Sequence, residues 1–514
     1  NRTASMAVHS VQASGRTSPM AMPSRTQVVW FKRDLRVDDH RPLATAAERG
    51  PVLPLYVAEP SIAAGDDYRP RHWTLIREAL TELRARLAKR GQPLVVRCGE
   101  MPDVLATIRD RLGPIRLWAH EETGNQRTFV RDQRVRAWAE EQGVPFTEVP
   151  NRGVIRGPHD RDHWAERWET YMNQPLVYPP DTLRSVEGID PGPMPSHADL
   201  GLPPSTTAVQ QLGEAEAHRT LDSFLHDRGR RYRRAMSRPA PAQTECSRMS
   251  VHLAFGTISL RRTVYELRQR QEELRGSSGE AAAARRKSLS SFDSRLHWHS
   301  HFTQKLEDAP RIENESYIPA FDDLRADTWD PALYDAWLYG RTGFPMVDAC
   351  MRRLRKTGWL NFRMRAMLCS FAAYDLWLDW RRFAPTYGGL MADYVPGIHY
   401  PQVQMQSGTT GINRVRIYNP IKQGKEQDPD GTFIRRWVPE LSSLETTAYV
   451  HEPWRMPPIE QQASGVVVGQ DYPERIVDHN EAYHHAQDAI HELRERPDVQ
   501  RQADAVLEQH GSRA

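Results

Sequence analysis

Residues 340–380 read GRTGFPMVDACMRRLRKTGWLNFRMRAMLCSFAAYDLWLDW, residues 397–413 read GIHYPQVQMQSGTTGIN, and residues 416–441 read RIYNPIKQGKEQDPDGTFIRRWVPEL. They lie in a region, from Glu214 to about Val466, where the pattern is helical and no strand-like alternation occurs. Arg365 sits there among Met364, Met367, Leu368 and Phe371. An arginine on so apolar a helix needs a partner or a ligand. Asp375 is too distant to be its close partner within one straight helix, because ten residues at about 1.5 Å each separate the two by roughly 15 Å.

Upstream the pattern changes. Residues 27–150 alternate strand and helix signals: QVVWF, a helix near Pro42–Arg49, PVLPLYV, an amphipathic helix from Arg71 to Lys89, PLVVRC, a helix near Val104–Leu112, IRLWA, a helix near Thr128–Glu141, and PFTEV. The alternation predicts a parallel α/β sheet. No Gly-x-Gly-x-x-Gly follows the first strand, so that stretch does not signal a dinucleotide site. Residues 151–213, rich in Pro, Gly, Ser and Asp, read as a long connector crossing the surface.

A chain of 514 residues implies two or three domains. No apolar run approaches the roughly 20 residues of a membrane-spanning helix. Residues 1–26 are expected to be a disordered leader. Cys98, Cys246, Cys350 and Cys369 are far apart, with neither zinc-ligand nor disulfide spacing, which fits a reducing cytoplasm. His297, His299 and His301 alternate around a helix and do not share a face, so no metal is expected there. The net charge of +3 is small, but Arg228, Arg230, Arg231, Arg233, Arg234 and Arg238 are clustered. Such a run is either a solvated face or a phosphate groove.

The quoted stretches resemble the flavin-binding core of the photolyase and cryptochrome family, in order and in wording. WFKRDLRVDDHRPL and PLYVAEP resemble the family's antenna domain, and the likeness runs through YPERIVDHNEAY. It implies an α/β plus all-α architecture: an amino-terminal Rossmann-like parallel sheet domain (27–150), a linker (151–213), a helical FAD-binding domain (214–486) and a short charged tail (487–514). Four clustered cysteines are lacking, which argues against the iron–sulfur branch.

The resemblance implies that FAD is held by Tyr232, Ser247, Arg248, Met249, Ser250, Arg365, Asp375, Asp393 and His399, with Asp393 pairing to Arg365 and His399 standing where the family places an asparagine before flavin N5. Free amides and hydroxyls at the helix start by Ser250 suit phosphate. Trp298 or His299 takes the place of a tryptophan that stacks on the lesion, and these two with His399 and Met405 are the expected reaction-site residues. Trp380 matches the middle tryptophan of the family's electron relay; the other two places fall near Val403 and Phe321, leaving Trp377, Tyr374, Trp337 and Trp359 as alternatives. Arg233, Arg416, Lys422 and Arg435 are expected to meet DNA phosphates. Arg127 and Thr128 stand where a folate-binding Asn-Glu pair would be, which disfavours folate and leaves a deazaflavin or no antenna open. Leu360, Asn361 and Phe362 replace the histidine pair of six-four photolyases. The implied activity is blue-light, FAD-dependent repair of cyclobutane pyrimidine dimers in DNA by a monomer in the cytoplasm, with electron transfer from reduced flavin; the alternative is a cryptochrome-like photoreceptor.

Overall fold

In the computed structural model, residues 25–157, 161–205 and 210–511 are described. The expected leader, apart from Arg25 and Thr26, lies outside them. Five strands, β1 (Thr26–Phe31), β2 (Val52–Ala58), β3 (Val95–Cys98), β4 (Ile115–His120) and β5 (Phe146–Val149), form one parallel sheet in the order β3-β2-β1-β4-β5. The helices Arg41–Arg49, Pro70–Ala88, Met101–Leu112 and Gln126–Glu141 lie between successive strands. The parallel α/β reading therefore holds. Val28, Val29, Trp30 and Phe31 are all buried, as a central strand covered on both faces requires. The strand order reverses between β1 and β4, a topological switch point whose crevice opens at the carboxyl ends of the strands.

The connector does more than cross the surface. It contains the helix Trp164–Met172, whose Trp164, Trp168 and Met172 fall at i, i+4 and i+8 and are buried in the helical lobe. The Trp168 indole N–H donates to Ser300 Oγ at 2.9 Å. Farther on, the connector runs beside β3: Val96 N–H donates to Pro191 O at 2.8 Å, and Arg97 donates to Asp190 O at 2.7 Å. An edge that would otherwise be open is thereby covered.

The helical lobe is centred on Pro345–Thr357, Phe362–Ser370, Trp380–Gly389 and Pro396–Ser407, with Met364, Phe371, Ala372 and Phe383 fully buried. The expected division after Ala486 is wrong. It falls inside the helix His479–Glu495, because Ile490 continues the buried stripe begun by Ala486. With Val499 and Val506 of Pro497–His510, Ile490 packs against Ile318, Phe321 and Tyr374, so the tail is docked. The lobes meet closely at Gly256, whose φ is 65° and whose Cβ, if present, would lie 2.2 Å from Arg33 O. No helix among the described residues is long and apolar enough to cross a membrane.

Candidate functional site

The arginine that needed a partner has one. Arg365 donates from its two terminal nitrogens to Oδ1 and Oδ2 of Asp393, each at 2.9 Å, and from Nε to Leu360 O at 2.6 Å. Burial pushes the Asp393 carboxyl up, but the Arg365 charge and hydrogen bonds, helped by the Ser250 hydroxyl and by Arg248, hold it below the usual value. Arg248 adopts φ 62°, a left-handed conformation that a non-glycine residue keeps only where its surroundings enforce it. Its guanidinium lies 3.9 Å over the Trp359 ring, and burial lowers its pKa to about 10. Among the described residues no carboxylate comes within salt-bridge distance of it.

Two other buried polar side chains near Trp359 are only partly matched, and a buried tyrosine lies in the same cluster. Arg353 lies 5.5 Å over the same ring and donates to Pro239 O at 2.6 Å, but its Nε is unmatched. Asn361 donates to Met236 O at 3.1 Å and leaves Oδ1 unmatched. Tyr232 is buried edge-on to Phe224 at 5.4 Å, and its hydroxyl meets Arg295. Buried groups of this kind are satisfied in a working protein. The set Arg248, Ser250, Arg353, Asn361, Arg365 and Asp393 thus fits a ligand carrying both negative charge and hydrogen-bonding edges. Ser247 and Met249 flank Arg248 in the chain: the Ser247 carbonyl is taken by Arg228 at 2.5 Å, its hydroxyl accepts from Met249 N–H at 3.4 Å, and the Met249 side chain is core. The helix Ser250–Phe255 has six residues, so guanidinium and hydroxyl groups, more than a helix dipole, are what the site offers an anion.

Two family models match: that for the FAD-binding domain of DNA photolyase over residues 292–492, and that for DNA photolyase over residues 27–161. A deoxyribodipyrimidine photo-lyase of Streptomyces griseus is 31% identical over 474 residues, covering 88% of this chain and 97% of the relative. The chain belongs to the photolyase and cryptochrome family. Cryptochrome DASH of Natronomonas pharaonis is 29% identical over 484 residues, covering 89% of this chain and 99% of that protein. A bacterial class III photolyase from Agrobacterium tumefaciens superposes with a TM-score of 0.79 at 25% identity, covering 94% of this chain and 100% of that one.

Within this photolyase and cryptochrome framework, the structure separates residues that the sequence grouped. Asp375 is not beside Arg365. It ends the π-helical turn Phe371–Asp375, which aims its carboxylate at His479 Nδ1, 2.5 Å away, and burial raises its pKa to about 6. His399 is ringed by Tyr387, Tyr394 and Tyr400, and its Nε2–H donates to Ala384 O at 2.8 Å. Burial lowers its pKa to about 4, so the ring is neutral and Nδ1 can only accept. Trp298 is 46% exposed beneath Arg295, which also reaches Tyr232, whereas both ring nitrogens of its neighbour His299 are buried without partners. Met405 is half-buried.

The expected relay residues do not touch. Trp380 bonds Ser316 Oγ at 3.1 Å, Trp377 lies between Arg325 (4.3 Å) and His485 (4.6 Å), and Trp359 lies under Arg248. A ring series through one of the expected alternatives, Trp337, does touch: Trp329–Tyr334 at 4.8 Å, Tyr334–Trp337 at 6.1 Å, Trp337–Tyr387 at 5.4 Å and Tyr387–His399 at 5.9 Å. The Tyr387 hydroxyl donates to Arg365 O at 2.9 Å.

Of the expected phosphate contacts, Arg233, Arg416 and Lys422 are exposed. Arg435 is part-buried and donates to Asp430 O at 2.6 Å and Leu444 O at 2.9 Å. At the folate position Arg127 reaches Ser61 O at 3.4 Å, and Thr128 is buried against Asn125 O at 2.9 Å. Asp34, His40 and His120 form a metal-like group whose ligand atoms lie within 4.8 Å of one another. His40 Nδ1 accepts from Leu43 N–H, so its Nε2–H donates to Asp34, and His120 Nδ1 lies 2.7 Å from the same carboxylate. The cluster is a hydrogen-bonded hub.

Sequence reasoning missed Arg353 and Asn361 as site residues. The signal for Arg353 was its place three residues after buried Cys350, on the apolar face of Pro345–Thr357.

Proposed function

We propose that the chain is a light-driven, FAD-dependent lyase that splits cyclobutane pyrimidine dimers in DNA. Light absorption and one-electron donation are the chemistry that FAD supplies when bound. The chain's own residues would do the rest. Arg365 and Asp393 would fix the flavin ring's edge, Arg248 and Ser250 would meet the pyrophosphate, and Tyr232, Arg353 and Asn361 would complete the cradle. His399, neutral and tied to Ala384 O, would present an acceptor. Exposed Arg233, Arg416 and Lys422 would hold phosphates and make binding salt-dependent.

The observation that carries repair over signalling is Trp298, a large aromatic ring left 46% exposed and linked through Arg295 to the Tyr232 side of the cradle. Such a ring is a platform on which a flipped-out base can stack, a contact worth about 1–3 kcal/mol. A photoreceptor reading is favoured by the apolar Val403 and Phe321, buried at two relay places.

Illumination of the reduced, FAD-loaded protein with a dimer-containing oligonucleotide distinguishes the two. Thymine absorbance returns if the chain is a lyase, and Trp298→Ala weakens binding of the damaged strand. FAD-loaded protein that leaves the absorbance unchanged sinks the repair reading.

A further inference from the structure

One well-formed cavity lies away from the flavin cradle. It has a volume of about 270 Å³ and opens at the carboxyl ends of β1, β4 and β5, between the sheet lobe and the helix Leu260–Glu273. This is the switch-point crevice of the sheet, the place where open parallel sheets bind ligands. Four guanidinium groups line it: Arg36, Arg41, Arg152 and Arg261. Among its described lining residues Asp39 is the one carboxylate, and Arg261 already takes it, with Nε–Oδ2 at 3.1 Å and a terminal nitrogen on Oδ1 at 2.5 Å.

The other three arginines have no carboxylate partner within salt-bridge distance among the described residues. Arg36 is held by the carbonyls of Asp38, Asp39 and Gly256 at 3.0, 3.1 and 3.1 Å. Arg152, held in a left-handed conformation with φ 60°, spends one terminal nitrogen on the carbonyls of Arg33 and Ala254, at 3.2 and 3.0 Å. Its other terminal nitrogen and Nε make no hydrogen bond among the described residues. Arg41 is exposed at the mouth. Behind the wall Asp34 is committed to His40 and His120. The cavity is therefore rich in positive charge that the protein does not neutralise, and buried charges call for a counter-charge.

Ordinary switch-point sites hold phosphate with free amides after a glycine-rich turn. Here that turn has no such glycines, and the first free amides of Arg41–Arg49 are spent: Leu43 N–H on His40 Nδ1 and Ala44 N–H on His40 O, both at 3.1 Å. Guanidinium groups stand where those amides would act, and forked guanidinium donors match a phosphate's oxygens. Of the remaining wall, Val149, Pro150, Leu260 and the Tyr171 ring are apolar and suit a flat organic group, beside the polar His120, Asn151, Gln174 and Ser259.

We infer that this cavity is a second ligand site, which binds a small phosphomonoester of mononucleotide size, its phosphate on Arg36, Arg41 and Arg152 and its organic part against Tyr171. Because Arg261 and Tyr171 come from outside the sheet, the ligand would bridge the two lobes.

The test uses the FAD-loaded full chain, so that the flavin cradle is filled, and titrates inorganic phosphate and 5′-AMP by calorimetry at low ionic strength. 5′-AMP is expected to bind once per chain and more tightly than phosphate. Arg41→Ala, at the exposed mouth, and Arg152→Gln are each expected to weaken it about tenfold or more, with the flavin absorption spectrum unchanged. Absence of saturable binding, or affinities equal in wild type and Arg41→Ala, overturns the site. Binding seen only after FAD is removed assigns the ligand to the flavin cradle and overturns it too. Phosphate binding without 5′-AMP binding overturns the nucleotide-sized assignment.

Discussion

Arg365 and Asp393 form the tightest charged contact in the cradle, with Asp393 almost wholly buried and Arg365 mostly so. Removing one partner of such a pair leaves the other charge uncompensated, at a cost of about 3 kcal/mol or more. Asp393→Asn should lower the urea midpoint of the apoprotein and release FAD on gel filtration. The acid limb follows from the direction of the shift. Asp393 is held below its unfolded value, so its contribution is complete above about pH 4 and is lost as pH falls below that; Asp393→Asn should lack that loss. That Arg365 needs a partner was readable from an arginine on an apolar helix, whereas Asp393 as that partner was what the family resemblance implied. Asp375 was not placed so well, since its direction depends on a π-helical turn that residue spacing does not show. Electron supply is also a matter of single residues. Trp337 is in ring contact with Tyr334 and Tyr387, and among the described residues Trp380 is in none, so Trp337→Phe should slow flavin photoreduction more than Trp380→Phe does. Flash photolysis, with unfolding curves to correct for the lost Trp337–Leu368 bond, checks this.

At the scale of elements, the five strands were legible because parallel strands covered on both faces are apolar runs bounded by turns. The helix Trp164–Met172 was hidden by the proline-rich composition around it, although Trp-x-x-x-Trp-x-x-x-Met already spelled a helical stripe. The docked tail was concealed in the same way, its buried residues being few and widely spaced. Its attachment to the lobe includes the Asp375–His479 contact. Burial raises the Asp375 carboxyl to about 6, so its neutral form favours the folded state below about pH 4, and that stabilisation is lost as pH rises through about 6. The urea midpoint should therefore fall across that interval. Asp375→Asn, which cannot ionise, should remove that slope; an unchanged slope would place the titration elsewhere.

For the whole molecule, the two lobes are joined by backbone contact at Gly256. Leu35 N–H donates to Phe255 O at 3.1 Å beside it. Gly256→Ala combines a left-handed backbone with a Cβ driven into Arg33 O, so it should cost about 2 kcal/mol or more. Limited proteolysis should then cut the connector faster, while the circular dichroism of each lobe is kept. Sequence could not foresee this contact, because it depends on segments brought together only by the folded chain.

The connector that runs beside β3 also has a consequence for synthesis. Residues 190 and 191 leave the ribosome long after β3 is complete at Cys98. At about 5–20 residues per second, the growing chain carries an unprotected strand edge for roughly 5–20 seconds. Newly made sheet lobe is thus most open to mispairing with a neighbouring nascent chain during that interval, and truncation before residue 190 would make the vulnerability permanent.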